Sequence, residues 1–126
     1  MTNTMAQNKK LTHNQRIGKW GEQIAAEYLE KKGYTILEKN CRTPHGEIDL
    51  VTMFEGITIL VEVKTRTSGS FGLPEEGLTN RKIAHMRTCA EYYAGIHGLD
   101  TWQCDAVAVQ GKPGTTPSLE HFENVT

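Results

Sequence analysis

No run of apolar residues in the chain comes near the ~20 needed to span a bilayer, so no transmembrane helix is expected. The opening segment, MTNTMAQNKK, is polar and lacks the apolar core of a secretory signal. Cysteine is scarce. Cys41, Cys89 and Cys104 are odd in number, and their spacing fits neither a zinc site nor a redox pair. They read as reduced thiols in a cytoplasmic protein that needs no disulfide staple. Excess basic charge is also missing. Lys and Arg number 14 against 15 Asp and Glu, a net charge of −1. That balance excludes a uniformly basic nucleic-acid-binding surface and leaves only local patches for phosphate. The patches are Lys9, Lys10, Arg16 and Lys19, then Lys64 and Arg66, then Arg81, Lys82 and Arg87. Most clusters of this kind are solvated faces.

What is present suits one small domain. The chain has 126 residues, 37% of them apolar, and a chain of that length buries roughly two-thirds of its unfolded surface. Residues 1–13 read as a flexible arm and 14–126 as a single domain. Ile17, Gly21, Ile24 and Tyr28 recur at helical spacing and predict a helix from about Asn14 to Lys32, stopped by Gly33. Strands are expected over Tyr34–Cys41, Glu47–Phe54 and Ile57–Thr65, the last two joined by a tight turn at Glu55-Gly56. Loops cover 42–46 and 69–77. A second helix spans about Asn80–Gly95 with Thr79 as its N-cap. A fourth strand spans Trp102–Gln110, and Ser118–Asn124 can add a short edge strand.

The second and third strands carry the chemistry. Side chains alternate along a strand, so Ile48, Leu50, Thr52 and Phe54 should share one face, as should Ile57, Ile59, Val61 and Val63. The opposite faces carry Glu47, Asp49, Glu62 and Lys64. A two-residue turn pairs Phe54 with Ile57, and paired residue numbers then sum to 111. Asp49 falls opposite Glu62, and Glu47 opposite Lys64. Two carboxylates ~4 Å apart repel by about 4 kcal/mol at an effective dielectric near 20, and like charges across strands are normally avoided. A proton, the nearby Lys64 or a divalent cation must offset that repulsion. Spacing alone leaves two readings open. One is a wet face with a Glu47–Lys64 ion pair. The other is a site that holds Mg²⁺ on two carboxylates plus phosphate.

At these residues the sequence resembles the PD-(D/E)XK signature of restriction-endonuclease-like nucleases, with Asp49 followed by Glu62-Val63-Lys64 on the next strand. The proline of that signature is absent, and Ile48 precedes the aspartate. The chain is more similar to the YraN-like family of small bacterial proteins, an endonuclease-like group. That pattern stands here as Gly18-Lys19-Trp20-Gly21-Glu22, Gly33-Tyr34, Asn40, Gly46-Glu47-Ile48-Asp49-Leu50, Val61-Glu62-Val63-Lys64-Thr65-Arg66 and Phe71-Gly72. Where the family has Arg-Phe-Asp, this chain has Gln103-Cys104-Asp105, so any role of that arginine is lost.

The resemblance implies a restriction-endonuclease-like αβββαβ core, a mixed sheet flanked by helices. It implies Asp49 and Glu62 as ligands for Mg²⁺ or Mn²⁺ and Lys64 as the catalytic lysine. Glu22 matches a glutamate of the first helix that completes the site in Holliday-junction-resolvase-like relatives; otherwise it is a solvated helix residue. Thr65, Arg66 and Lys82 are the candidates for binding phosphate, Asp105 is structural, and His45 belongs to its loop. The implied function is metal-dependent hydrolysis of DNA, on branched or single-stranded forms. The alternative is a non-catalytic nucleic-acid-binding or protein-interaction module of the same fold. With one site per chain, cutting both strands of a duplex calls for a homodimer.

Overall fold

The computed structural model describes residues 10–67 and 79–126. The first helix, α1, spans His13–Lys31. Its start is fixed by a reciprocal cap. The Thr12 hydroxyl accepts the Gln15 N–H at 3.1 Å, and the Gln15 side chain accepts the Thr12 N–H at 2.8 Å. The helix therefore reaches into the segment expected to be an arm, most of which lies outside the described residues. So do the 69–77 loop and Phe71-Gly72.

Strand β1 is Thr35–Thr43 and β2 is Gly46–Phe54, so only Pro44 and His45 remain of the expected 42–46 loop. Strand β3 is Ile57–Arg66. Both turn residues between β2 and β3 are left-handed, with φ of 51° at Glu55 and 81° at Gly56, as a two-residue hairpin turn that follows the strand twist requires. Helix α2, Asn80–His97, is capped by the Thr79 hydroxyl, which accepts the Lys82 N–H at 3.2 Å. Strand β4 is Trp102–Gln110 and β5 is Ser118–Phe122.

The five strands form one mixed sheet in chain order. Only β3 and β4 run parallel. Parallel neighbours need a long crossover, and α2 lies within it. The helices cover opposite faces. Under α1 lie Leu50, Ile59, Val61, Val63, Val107 and Val109, packed on Ala25, Ala26 and Leu29. Under α2 lie Ile48, Val51, Leu60 and Cys104, packed on Met86, Cys89, Ala90 and Tyr93. All three cysteines are unpaired and buried.

Ile48 departs from the expected alternation: it joins the α2 cluster, whereas Leu50 lies under α1. The same switch occurs on the neighbouring strand. Lys39, paired with Leu50, reaches Gln23 of α1 at 3.0 Å, while Cys41, paired with Ile48, belongs to the α2 cluster. Between them Asn40 adopts a left-handed φ of 52°. The alternation thus switches across Asn40 on β1 and across Asp49 on β2.

Candidate active site

The turn register holds over five pairs, from Phe54↔Ile57 to Leu50↔Val61, each summing to 111. There the ladder ends. The expected direct pairings of Asp49 with Glu62 and Glu47 with Lys64 are not made, because the strands part at this point. Continued alternation of hydrogen-bonded pairs would offer the Ile48 carbonyl to Val63. Instead the Asp49 carboxylate, through Oδ2, accepts the Val63 N–H at 2.8 Å. A side chain thus occupies the gap between two separating strands and leaves its second oxygen uncommitted among the described residues.

Asp49 remains near Glu62 in charge if not in pairing. Burial first, and then the negative charge of Glu62, holds the Asp49 carboxyl up to about 8, against the opposing pull of the Val63 N–H. Glu62 is also shifted upward by burial, and Lys64, Lys82 and His85 oppose that shift. Lys64 is shifted downward, chiefly by burial and then by Lys82 beside it. Glu22, from α1, adds negative charge at both Asp49 and Glu62. The structure therefore brings Asp49, Glu62, Lys64, Glu22 and Lys82 into one electrostatic neighbourhood. The Glu47–Lys64 ion pair is absent from the ion pairs among the described residues.

The remaining candidates are placed differently. Thr65 lies against α1. A Cβ built on Gly21 would meet Thr65 Oγ1 at 1.9 Å, so the helix can approach this strand only because residue 21 has no side chain. Arg66 ends β3, where its carbonyl accepts the Gly111 N–H at 2.8 Å, and its positive charge also weighs on Lys64. Asp105 lies outside this neighbourhood and is fully buried. It accepts His121 Nε2–H at 2.7 Å on Oδ2, and Gln103 Nε2–H and the Asn124 N–H, each at 2.9 Å, on Oδ1. Burial pushes its carboxyl up, but these bonds outweigh burial and hold it below the ordinary range. Its place is structural, and Gln103 supplies one of its donors.

Two residues given no role by the sequence reading belong to the site. Asn40 Nδ2 donates to Glu22 at 3.0 Å and to Glu47 at 3.3 Å, so its left-handed backbone serves to aim an amide between two carboxylates. His85 of α2 donates from Nε2 to the His45 carbonyl at 2.6 Å. A Cβ on Gly46 would come within 2.7 Å of the His85 ring, so that glycine admits the close approach of α2 to β2. The presence of Asn40 and Gly46 in the quoted pattern was the available signal; His85 had none.

A divalent cation fits this donor set. Two desolvated carboxylates that repel one another gain most from a positive charge between them. Among the described residues no three His, Cys, Asp or Glu side chains gather closely enough to form a cage. Mg²⁺ is commonly held by one or two carboxylates with water and substrate phosphate completing its shell.

A mixed sheet in αβββαβ order, with carboxylates at the open end of its central hairpin, defines a class of small α/β proteins. Within it, residues 21–109 match the model described as "Uncharacterised protein family UPF0102", and the chain belongs to that family, the YraN family. A UPF0102 protein of Dehalococcoides mccartyi is 42% identical over 123 residues, 95% of this chain and 96% of its own. One from Syntrophomonas wolfei is 51% identical over 80 residues, 64% of this chain and 70% of its own. One from Renibacterium salmoninarum is 40% identical over 111 residues, 86% and 94% of the two chains. Among solved structures, Pyrococcus furiosus SfsA in complex with Ca²⁺ is similar at 14% identity with a TM-score of 0.36, over 84% of this chain and 62% of that one. That likeness is too slight to bear on function. No helix among the described residues is long and apolar enough to cross a membrane.

Proposed function

We propose that the protein is a divalent-metal-dependent nuclease that hydrolyses phosphodiester bonds of DNA in the cytoplasm. The observation that supports this reading above all is the Asp49–Glu62 pair, held desolvated at the parted end of the hairpin with Lys64 beside it. Asp49 and Glu62 would hold the metal. When bound, Mg²⁺ or Mn²⁺ polarises a phosphoryl oxygen and lowers the pKa of coordinated water.

Asp49 is oriented for this by the Val63 N–H, which fixes one oxygen and leaves the other for the metal. Lys64 faces the same region and holds its proton less tightly than a solvated lysine does. It orients the attacking water and meets the negative charge that develops on phosphoryl oxygen. Glu22, restrained by Asn40, closes the site from the α1 side. Lys82 and Arg66 attract the flanking phosphates, and Thr65 supports the strand end.

The net charge of −1 favours a second reading, a non-catalytic protein-interaction module that keeps the fold, over a nucleic-acid-binding one. The deciding experiment is cleavage of a panel of DNA forms, duplex, branched and single-stranded, with Mg²⁺ and then Mn²⁺. Metal-dependent cutting by the wild type that is lost in Asp49→Asn supports the nuclease. No cutting of any form with either metal rejects it in favour of the module.

A further inference from the structure

Beside the carboxylates lies a cavity of about 810 Å³ between α2 and the sheet. Its walls combine apolar Ile48, Leu60, Met86 and Cys89 with Arg81, Lys82 and His85 and the carboxylates of Glu47 and Glu62. Clefts of roughly 300–1,000 Å³ with apolar walls and a few polar groups are the usual size of a small-ligand site. Glu62 belongs both to this lining and to the proposed metal site, so the two are continuous.

We infer that this cavity receives a single unstacked base of a DNA strand whose phosphate lies at Asp49 and Glu62. The inference rests on the reading that DNA crosses those carboxylates, and it deepens that reading by naming the substrate class: a strand with an unpaired nucleotide. Three observations favour a nucleotide as the occupant. The apolar side chains of its walls complement the faces of a base. Arg81 and Lys82, both exposed in the first turn of α2, complement the adjoining phosphates. The alternation switch at Asp49 turns Ile48 into the α2 cluster, so the backbone break that opens the hairpin also builds the cavity wall. Extruding a base from a duplex costs a few kcal/mol and least where the base is already unpaired, so single-stranded segments, flaps and junction arms are bound in preference to intact duplex.

The test is binding in Ca²⁺, which separates recognition from cutting. Short single strands each carry one 2-aminopurine, moved stepwise along the sequence. The fluorescence of this base rises when it leaves the stack. The expected result is a several-fold rise at one position with the wild type, reduced by Met86→Trp, which narrows the cavity. A parallel series replaces the same positions by an abasic nucleotide, which keeps the phosphate and removes the base. Loss of about tenfold in affinity at that one position is expected, the scale of one base held against a protein surface. The abasic series needs no protein variant, so it decides the matter even if Met86→Trp misfolds. A flat response in both series overturns the inference. If Mg²⁺-dependent cutting persists alongside flat series, the nuclease reading stands without the pocket. A positional signal without cutting with either metal keeps the pocket and rejects the nuclease. Absence of any DNA binding rejects both.

Discussion

Asp49 accepts the main-chain N–H of Val63 at 2.8 Å, a bond that in an unbroken hairpin would go to a carbonyl of the facing strand. This one substitution of a side chain for a backbone acceptor accounts for three features of the site. The strands part, the acid is fixed in orientation, and the acid is kept out of bulk water near Glu62.

The first consequence is a pH dependence of stability. An unfolded aspartate titrates near ~3.9, and Asp49 in the folded protein titrates at about 8. Between those values the folded state keeps a proton that the unfolded chain has lost. Stability therefore falls as pH rises from ~4 to ~8. In EDTA, Asp49→Asn is expected to melt higher than the wild type at pH 8, by on the order of 5 °C, with the gain vanishing near pH 4. Thermal melts across that range check it. A variant equally or less stable at pH 8 would show that Asp49 carries no burial penalty.

Lys64→Ala should abolish cleavage while moving the melting temperature by no more than a few degrees. Lys64 is half-buried and makes no direct ion pair among the described residues, and exposed or partly exposed charges contribute only ~0–1 kcal/mol. Parallel measurement of cleavage and melting separates the two roles. A large loss of stability would assign Lys64 to neutralising the acids rather than to chemistry.

Asn40 separates backbone strain from function. Its φ of 52° lies in the left-handed region, which costs most side chains about 1–2 kcal/mol and asparagine less. Asn40→Gly relieves that cost and removes the amide that holds Glu22 and Glu47. The expected outcome is a melting temperature equal to the wild type or higher, with cleavage reduced about tenfold or more. Asn40→Ala keeps the strain, loses the amide, and should be destabilised by about 1–2 kcal/mol. Retained activity in both variants would leave Glu22 outside the chemistry.

Asp105 should dominate acid stability. Its carboxyl titrates below the unfolded value, so its contribution is complete above ~4 and is lost as pH falls through the folded value. The fully buried carboxylate is bonded to His121, whose Nδ1 accepts from Lys32 at 2.9 Å. Asp105→Asn is expected to destabilise by about 3 kcal/mol at pH 7, read by urea denaturation, with the difference shrinking below pH 4. An unchanged midpoint at pH 7 would remove this cluster from the structural account.

The Gly21–Thr65 contact should be the tightest constraint on α1. A Cβ at residue 21 would fall 1.9 Å from Thr65 Oγ1, so Gly21→Ala must push α1 off β3. The expected loss is about 1–3 kcal/mol, part of it recovered in the double variant Gly21→Ala/Thr65→Ala. Measured midpoints that simply add would show that the two residues do not meet.

The element order and the hairpin register were determined by local signals. Helical spacing, Thr79 ahead of α2, and Glu55-Gly56 between two apolar strands each act over a few residues, so they can be read without the rest of the molecule. Composition and spacing also singled out Asp49, Glu62 and Lys64 as an uneasy cluster of charge. The tertiary structure decided how that unease is resolved. Asn40 on β1 takes a left-handed backbone, Ile48 lies on the α2 side, and the hairpin ladder ends at Leu50↔Val61. No pattern within β2 or β3 contains that arrangement, because it depends on the neighbouring strand and the helices packed around the hairpin. The same holds for Gln103, His121 and the Asn124 N–H, which meet at Asp105 only once β5 has paired with β4. Burial pushes both Asp49 and Asp105 upward, yet their carboxyls end on opposite sides of the ordinary range. Asp49 has one hydrogen bond and a negative neighbour, while Asp105 has three donors, and only the folded chain supplies either.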